Sequence, residues 1–254
     1  MQSEIVTLLE LSKNIARTAL EKLPDLDKKD FRDYSFDSDI PREIKAKADT
    51  IIEKIILDKL VPTGVDILSE EMGLLAGDNN SFLKFIIDPI DGTVNFVRGI
   101  ADCSVCIALF DGDIPLFGII ASYPSGNIAW GGNELGAFLE DSKLEVSNIE
   151  NPEKGVLCTG FPSRFKFDEE SFSSQIKLMS KFGKTRMLGA ASQSLLQVAK
   201  GSVECYSEQN IMLWDVAAGI AIVEGAGGRV KILNSEGSDA SLNVIADNGF
   251  ISID

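Results

Sequence analysis

The sequence contains no histidine among its 254 residues. This absence excludes Ser-His-Asp and Cys-His catalysis, phosphohistidine intermediates and the usual histidine-bearing zinc sites. Any chemistry must therefore use carboxylates, hydroxyls, lysine, cysteine or a metal ion bound by oxygen ligands.

Positive charge is also scarce, because 24 lysines and arginines stand against 39 acidic residues and give a net charge of -15. This balance argues against nucleic-acid binding and against an anionic membrane surface, both of which need a basic face. No apolar run reaches membrane-spanning length. A small phosphorylated substrate remains compatible with the composition, provided that cations neutralise it locally.

Cysteine is limited to four residues, Cys103, Cys106, Cys158 and Cys205. The first two match a C-x-x-C spacing, but they lie in a segment that is typical of a strand, where residues three apart point to opposite faces. We therefore interpret the four as reduced thiols of the core in a cytoplasmic protein. The N-terminal segment is an amphipathic helix with charges throughout, not a signal peptide.

The hydrophobic content of 44% is enough for a sizeable core. Two helical patterns come first, and short alternating strands between turn residues then predict an antiparallel sheet in an N-terminal α+β domain, residues 1–145. Strands alternate with helices further along and predict a smaller C-terminal α/β domain, residues 146–254.

Acidic residues recur where apolar elements begin or end. They are Asp49, Glu70, Glu71, Asp88, Asp91 and Asp215. Helix capping explains Asp49 and Asp215 without any function, and a solvated strand end explains the glutamates. Their joint occurrence at the ends of buried elements favours a site, because layered folds assemble their sites there.

Carboxylates without histidine suit Mg²⁺, Mn²⁺ or Ca²⁺. The sequence Gly92-Thr93 opens a predicted helix, whose first N–H groups can bind an anion. Metal ligands beside a phosphate site indicate metal-assisted phosphoryl chemistry.

Three segments together resemble the inositol monophosphatase family of Mg²⁺-dependent, lithium-sensitive phosphatases. They are SEEMG (69–73), DPIDGTVNF (88–96) and WDVAAGIAIVEGAGG (214–228), with further similarity at 159–165 and 189–208. The resemblance implies an α+β fold, the layered αβαβα sandwich that this family shares with fructose-1,6-bisphosphatase. It also implies a cytoplasmic homodimer with two to three Mg²⁺ ions in each active site.

The resemblance further implies a ligand set. Glu70, Asp88 and the backbone carbonyl of Ile90 would bind the first ion. Asp88, Asp91 and Asp215 would bind the second, and Glu70 would help to hold a third.

The remaining roles implied by the resemblance concern water and substrate. Thr93, with Asp49 behind it, would orient the attacking water, and Glu70 would act on it through the metal. Gly92 and Thr93 would present N–H groups to the phosphate, and Glu208 would contact substrate hydroxyls.

The substrate implied is a small polyol or sugar phosphate monoester. Fructose-1,6-bisphosphatase activity, 3′-phosphoadenosine-5′-phosphate phosphatase activity and a regulatory role with incidental phosphatase activity stay open as alternatives. We favour a polyol over a nucleotide because little basic or aromatic character is evident around Glu208 in the sequence.

Overall fold

The structure, a computed structural model, describes residues 2–27, 34–36, 44–78, 82–234 and 241–252. Its helices lie where apolar residues recur at helical spacing, as predicted for the first two. They are α1 (Gln2–Leu26), α2 (Lys47–Leu60), α3 (Thr93–Arg98), α4 (Glu169–Met179), α5 (Ala191–Ala199) and α6 (Leu213–Gly225).

A short hairpin precedes a large first sheet. The hairpin joins β1 (Tyr34–Phe36) to β2 (Ile44–Ala46), and the strands of the sheet follow from β3 to β10 along the chain. They are β3 (Asp66–Ser69), β4 (Gly73–Leu75), β5 (Leu83–Asp91), β6 (Cys103–Asp111), β7 (Ile114–Tyr123), β8 (Ile128–Gly132), β9 (Gly136–Leu139) and β10 (Ser142–Lys143).

The first sheet has the strand order β10-β9-β8-β7-β6-β5-β3-β4. From β5 to β10 each strand pairs antiparallel with the next, as the alternating pattern predicted. The pair β3–β5 is parallel, which the sequence analysis did not predict. The parallel pairing puts the C-terminal ends of β3 and β5 at the same edge of the sheet, next to Glu70 and Asp88.

A second sheet has the order β12-β11-β13-β15-β14 and mixes parallel with antiparallel pairs. Its strands are β11 (Val156–Thr159), β12 (Lys184–Arg186), β13 (Cys205–Met212), β14 (Arg229–Asn234) and β15 (Ser241–Asp247).

The elements stack in five layers. The helices α1 and α2 cover one face of the first sheet, while α5 and α6 fill the space between the two sheets. The helix α4 packs through Leu178 and Met179 on the outer face of the second sheet. This arrangement confirms the predicted α+β sandwich. The division into domains at residue 145 stays a prediction.

The thiol pair in β6 follows the strand geometry. Cys103 is buried with the core under α1 and α2, and Cys106 with the core around α6, so the two side chains lie on opposite faces. All four cysteines are buried and free. No helix in the described part of the chain is long and apolar enough to cross a membrane.

Helix capping explains one of the two aspartates at helix starts, Asp215, but not Asp49. The helix α2 begins at Lys47 with Ala46 as its N-cap, so Asp49 lies in the first turn and is buried. The helix α6 begins at Leu213, and the Asp215 carboxylate accepts a hydrogen bond from the N–H of Met212 at 3.2 Å. Asp49 is therefore not an N-cap, and its burial needs another explanation.

Candidate active site

An irregularity at the end of β5 places Asp88 and Asp91 in one site. Residues three apart in a regular strand point to opposite faces. Here Asp88 pairs with Cys106 but Asp91 pairs with Ser104, so β5 carries one extra residue between the two pairs. Such a bulge turns the following side chain back toward the first.

A left-handed glycine ends this strand. Gly92 has φ of +85°, and a side chain there would lie 3.0 Å from the carbonyl oxygen of Asp102. Only glycine adopts this conformation without a steric cost. The turn starts α3 at Thr93 directly after the two aspartates.

The bulge and the start of α6 bring three carboxylates together. One oxygen each from Asp88, Asp91 and Asp215 lies within 4.8 Å of the others. This is the set predicted to hold the second metal ion, and the three side chains come from two distant parts of the chain.

Hydrogen bonds fix the orientation of Asp91. Its carboxylate accepts from the N–H of Ala191 at 3.2 Å, from the N–H of Ser192 at 2.7 Å and from the Ser192 hydroxyl. The N–H of Gly92 also donates to it. Gly92 was predicted to face the phosphate, and this contact stays a prediction.

A second acidic cluster adjoins the first. Oxygens of Asp49, Glu70 and Glu71 lie within 4.8 Å of one another, and the Glu70 carboxyl is hydrogen-bonded to Asp88. Lys45 approaches this cluster, with its Nζ 3.6 Å from Glu71. Glu71 was not among the predicted ligands, although the sequence singled out the pair.

Thr93 lies between the second cluster and the end of β5. Its hydroxyl lies within hydrogen-bond distance of two acceptors, a carboxylate oxygen of Asp49 at 3.1 Å and the carbonyl of Ile90 at 3.0 Å. The structure thus brings together the predicted pair Thr93 and Asp49. The Ile90 carbonyl, predicted to be a metal ligand, lies beside the same hydroxyl.

The like charges and the burial of these acids raise their pKa values. Burial, followed by the charges of Glu70 and Asp91, raises the pKa of Asp88 well above its usual range. Burial and the neighbouring Asp215 do the same to the pKa of Glu70. Burial raises the pKa of Asp91 to about 6 against the hydrogen bonds from Ser192. Burial and Glu71 raise the pKa of Asp49 to about 7.

These carboxylates fit a cation. One oxygen of Asp88 and one of Asp49 are buried without any hydrogen-bond partner in the described residues. A buried carboxylate oxygen without a partner is costly, and a hard divalent cation satisfies several at once. The donor set consists of oxygens alone, which suits Mg²⁺, Mn²⁺ or Ca²⁺.

Glu208 lies in the middle of β13 on the opposite sheet, where the pairing with β15 becomes irregular. It is buried, and burial together with the charges of Asp215 and Asp91 raises the pKa of its carboxyl to about 8. Gly160, after β11, approaches it so closely that a Cβ there would lie 2.6 Å from its carboxylate oxygen.

This close approach makes Gly160→Ala a test of the packing around Glu208. We expect the substitution to lower the free energy of unfolding by about 1–3 kcal/mol, because either the loop or the carboxylate must shift. Urea unfolding of wild type, both single variants and the double variant with Glu208→Ala measures the coupling. A cost for Gly160→Ala that is unchanged in the Glu208→Ala background would contradict the contact.

A cavity of about 280 Å³ connects these groups. Its lining includes the predicted residues Glu70, Asp88, Ile90, Asp91, Gly92, Thr93, Glu208 and Asp215. Asp49 lies behind Thr93 and is not part of the wall. The loop after β11 adds Phe161 and Arg164 to the lining, and the start of α6 adds Trp214. The expectation of little basic or aromatic character near Glu208 was therefore wrong.

Sequence reasoning missed several contributors to the site. Ser192 holds Asp91 from the start of α5, and Gly160 and Arg164 lie in a loop that shares no local motif with the acids. The segment 159–165 was noted only as similar to the family. Its basic residue within an acidic chain was the one available signal.

Comparison with known proteins identifies the architecture and the family. The chain is 34% identical to the inositol-1-monophosphatase of Synechocystis sp. over 213 residues, which cover 82% of this chain and 74% of the relative. It is 28% identical to the fructose-1,6-bisphosphatase/inositol-1-monophosphatase of Thermococcus kodakarensis over 246 residues, 96% of this chain and 91% of the relative.

A solved structure, the extragenic suppressor protein suhB from Bartonella henselae, superposes with a TM-score of 0.83 at 28% identity. The match covers 95% of this chain and 94% of that one. The family model described as the inositol monophosphatase family matches residues 3–250. These findings confirm the predicted family and the predicted enzyme class, a phosphoric monoester hydrolase. The chain belongs to the inositol monophosphatase family.

Proposed function

We propose that this protein is a Mg²⁺-dependent phosphatase that hydrolyses a monoester of a small polyol or sugar phosphate with water as the nucleophile. The observation that carries the proposal is the buried carboxylate cluster Asp88, Asp91 and Asp215 next to the hydrogen-bonded pair Thr93 and Asp49. The water attacks phosphorus, the bond from phosphorus to the ester oxygen breaks, and an alcohol and inorganic phosphate are released.

Two to three Mg²⁺ ions would be held by the acids of the cavity. Asp88, Asp91 and Asp215 would hold one, Glu70 with Asp88 and the Ile90 carbonyl another, and Glu70 in the cluster with Asp49 and Glu71 a third. When bound, such ions polarise the phosphoryl oxygens, lower the pKa of water and stabilise the charge on the leaving oxygen.

The side chains position the reactants. Because the Thr93 hydroxyl donates its proton to Asp49 or to the Ile90 carbonyl, its oxygen is free to accept a hydrogen bond from the attacking water. The hydrogen bonds to Asp91 hold that carboxylate at the site before substrate binds, so little reorganisation is needed. Glu208, on the opposite wall, would contact the hydroxyls of the substrate.

The experiment that tests this function is phosphate release with and without Mg²⁺ from four compounds. These are inositol 1-phosphate, fructose 1,6-bisphosphate, 3′-phosphoadenosine 5′-phosphate and histidinol phosphate. We expect Mg²⁺-dependent release, and the preferred compound decides between the polyol and the alternatives. Thr93→Ala should lower kcat by about 10²-fold with little change in KM, because water positioning is lost.

Two variants control this result. Thr93→Ser retains the hydroxyl and should keep most of the activity, whereas Thr18→Ala removes an exposed hydroxyl on α1 and should change nothing. Mg²⁺-independent release, or a Thr93→Ala enzyme as active as wild type, would refute the mechanism. If the folded protein binds Mg²⁺ but hydrolyses none of the compounds, the regulatory alternative gains support.

Lithium sensitivity, a cytoplasmic location and a homodimer complete the proposal. They rest on the family resemblance. Inhibition by Li⁺ in the same assay tests lithium sensitivity. The mass in solution, measured by light scattering, tests the homodimer.

A further inference from the structure

Arg164 places a positive charge in an otherwise acidic wall. Among the described residues that line the cavity, it is the one lysine or arginine. The other charged residues of the lining are Glu70, Asp88, Asp91, Glu208 and Asp215. The positive charge of Arg164 therefore faces a cavity whose other charges are all negative.

Within the described part of the chain, the buried Nε of Arg164 has no hydrogen-bond partner. The ion pairs found there do not include this side chain either. A guanidinium carries five N–H donors in a planar fork, and a buried donor without an acceptor costs stability. Internal packing therefore does not explain the arginine.

The loop that carries Arg164 is held in place by aromatic packing. The N–H of Phe165 donates to the carbonyl of Pro162 at 2.8 Å and closes a turn around the arginine. The buried ring of Phe165 packs at ring-centre distances of 4.8 Å from Phe161 and 5.5 Å from Phe172. A cation on such a loop is positioned before a ligand binds, which lowers the entropic cost of binding.

Arg164 and the reacting phosphate belong to different walls of the cavity. The carboxylates proposed as metal ligands and Thr93 come from the ends of β3 and β5 and the starts of α3 and α6, whereas Arg164 follows β11 of the second sheet, as does Gly160 beside Glu208. In the proposed function the phosphate that is cleaved binds at the first wall. Arg164 is then left for the part of the substrate that is not cleaved.

We propose that Arg164 binds a second anionic group, a phosphate or a carboxylate, on the same substrate molecule. A guanidinium recognises both groups through paired N–H donors. The inference rests on the proposed function for the position of the cleaved phosphate. It narrows the substrate class to compounds with two anionic groups.

Kinetics with matched substrates tests this role. The pairs are fructose 1-phosphate with fructose 1,6-bisphosphate, and inositol 1-phosphate with inositol 1,4-bisphosphate. We expect wild type to prefer the doubly charged member of a pair, and Arg164→Gln to lower kcat/KM for that member by about 10-fold or more. The singly charged member should lose less than about 3-fold, since its cleaved phosphate does not contact the arginine.

Arg164→Lys should restore part of the preference, because it keeps the charge but not the planar fork. Arg186→Gln, an exposed arginine in β12 outside the cavity lining, should leave the preference unchanged. An equal loss for both members of each pair, or no preference in wild type, would overturn the inference.

A binding measurement separates this inference from the proposed function. Calorimetry in Mg²⁺ compares butylphosphonate with 1,4-butanediphosphonate and 4-carboxybutylphosphonate, whose phosphorus–carbon bonds resist hydrolysis. We expect wild type to bind the diphosphonate or the carboxyphosphonate more tightly than butylphosphonate, and Arg164→Gln to lose this difference. Such a result supports the inference even if no phosphate ester is hydrolysed. The tighter of the two ligands shows which anion is preferred. Equal binding of all three overturns it, whether or not the phosphatase assay succeeds.

Discussion

The variant Asp88→Asn should lose activity without losing stability in the absence of metal. We expect kcat/KM to fall by about 10³-fold or more, because a charged ligand common to both proposed metal positions is removed. In EDTA at pH 8 the variant should be at least as stable as wild type. Asp88 is buried among Glu70, Asp91 and Asp215, and one of its oxygens has no hydrogen-bond partner among the described residues. Neutralising it relieves repulsion, and the neighbouring carboxylates can accept hydrogen bonds from the new amide group.

Phosphate release and thermal unfolding in EDTA measure the two halves of this expectation. Asp113→Asn makes the same chemical change in an exposed turn between β6 and β7 and should affect neither property. A variant that is inactive and also clearly less stable than wild type in EDTA would show that Asp88 has a structural role. A variant with nearly full activity would exclude it as a metal ligand.

The stability of the metal-free protein should fall as the pH rises from about 4 to 8. Burial and like charges raise the pKa of Asp91 to about 6, of Asp49 to about 7 and of Glu208 to about 8. These groups hold protons in the folded state that the unfolded chain has already released. Their contribution to stability is therefore complete below about pH 4 and is lost as the pH rises through these values.

Mg²⁺ should reverse this loss, and should do so more strongly at pH 8 than at pH 5. The ion binds the ionised carboxylates, so its binding releases protons and strengthens with pH. A concentration one hundred times the dissociation constant adds about 2.7 kcal/mol, which corresponds to a rise in Tm of roughly 5 °C or more for a chain of this size.

Thermal unfolding at pH 5, 6, 7 and 8, in EDTA and in Mg²⁺, tests both statements. Asp88→Asn should flatten the pH dependence in EDTA and reduce the response to Mg²⁺, whereas Asp113→Asn should behave like wild type. A metal-free protein that becomes more stable from pH 5 to pH 8 would contradict the proposed cluster of repelling acids. An equal gain in stability from Mg²⁺ at pH 5 and at pH 8 would also contradict it.

The amino-acid sequence alone predicted the type of chemistry and most of the acidic residues of the candidate site. The absence of histidine leaves oxygen ligands, and Glu70, Asp88, Asp91 and Asp215 stand in short motifs beside apolar elements. These signals can be seen in short stretches of sequence, because each acidic residue lies at or directly after the end of a strand, or at the start of a helix. Residue types and spacing therefore also predicted most of the elements and, through the family resemblance, the layered fold.

Which residues face one another depends on how the sheets and helices pack. The bulge in β5 turns Asp91 toward Asp88, the N-terminus of α5 supplies Ser192 to hold it, and the loop after β11 brings Arg164 into the cavity. Ser192 lies 101 residues from Asp91 in the sequence, and no local pattern records such a contact. Sheet register and layer packing set their distances, so the significance of Arg164 in an acidic chain emerges only when the fold places it in the wall of the same cavity as Glu208.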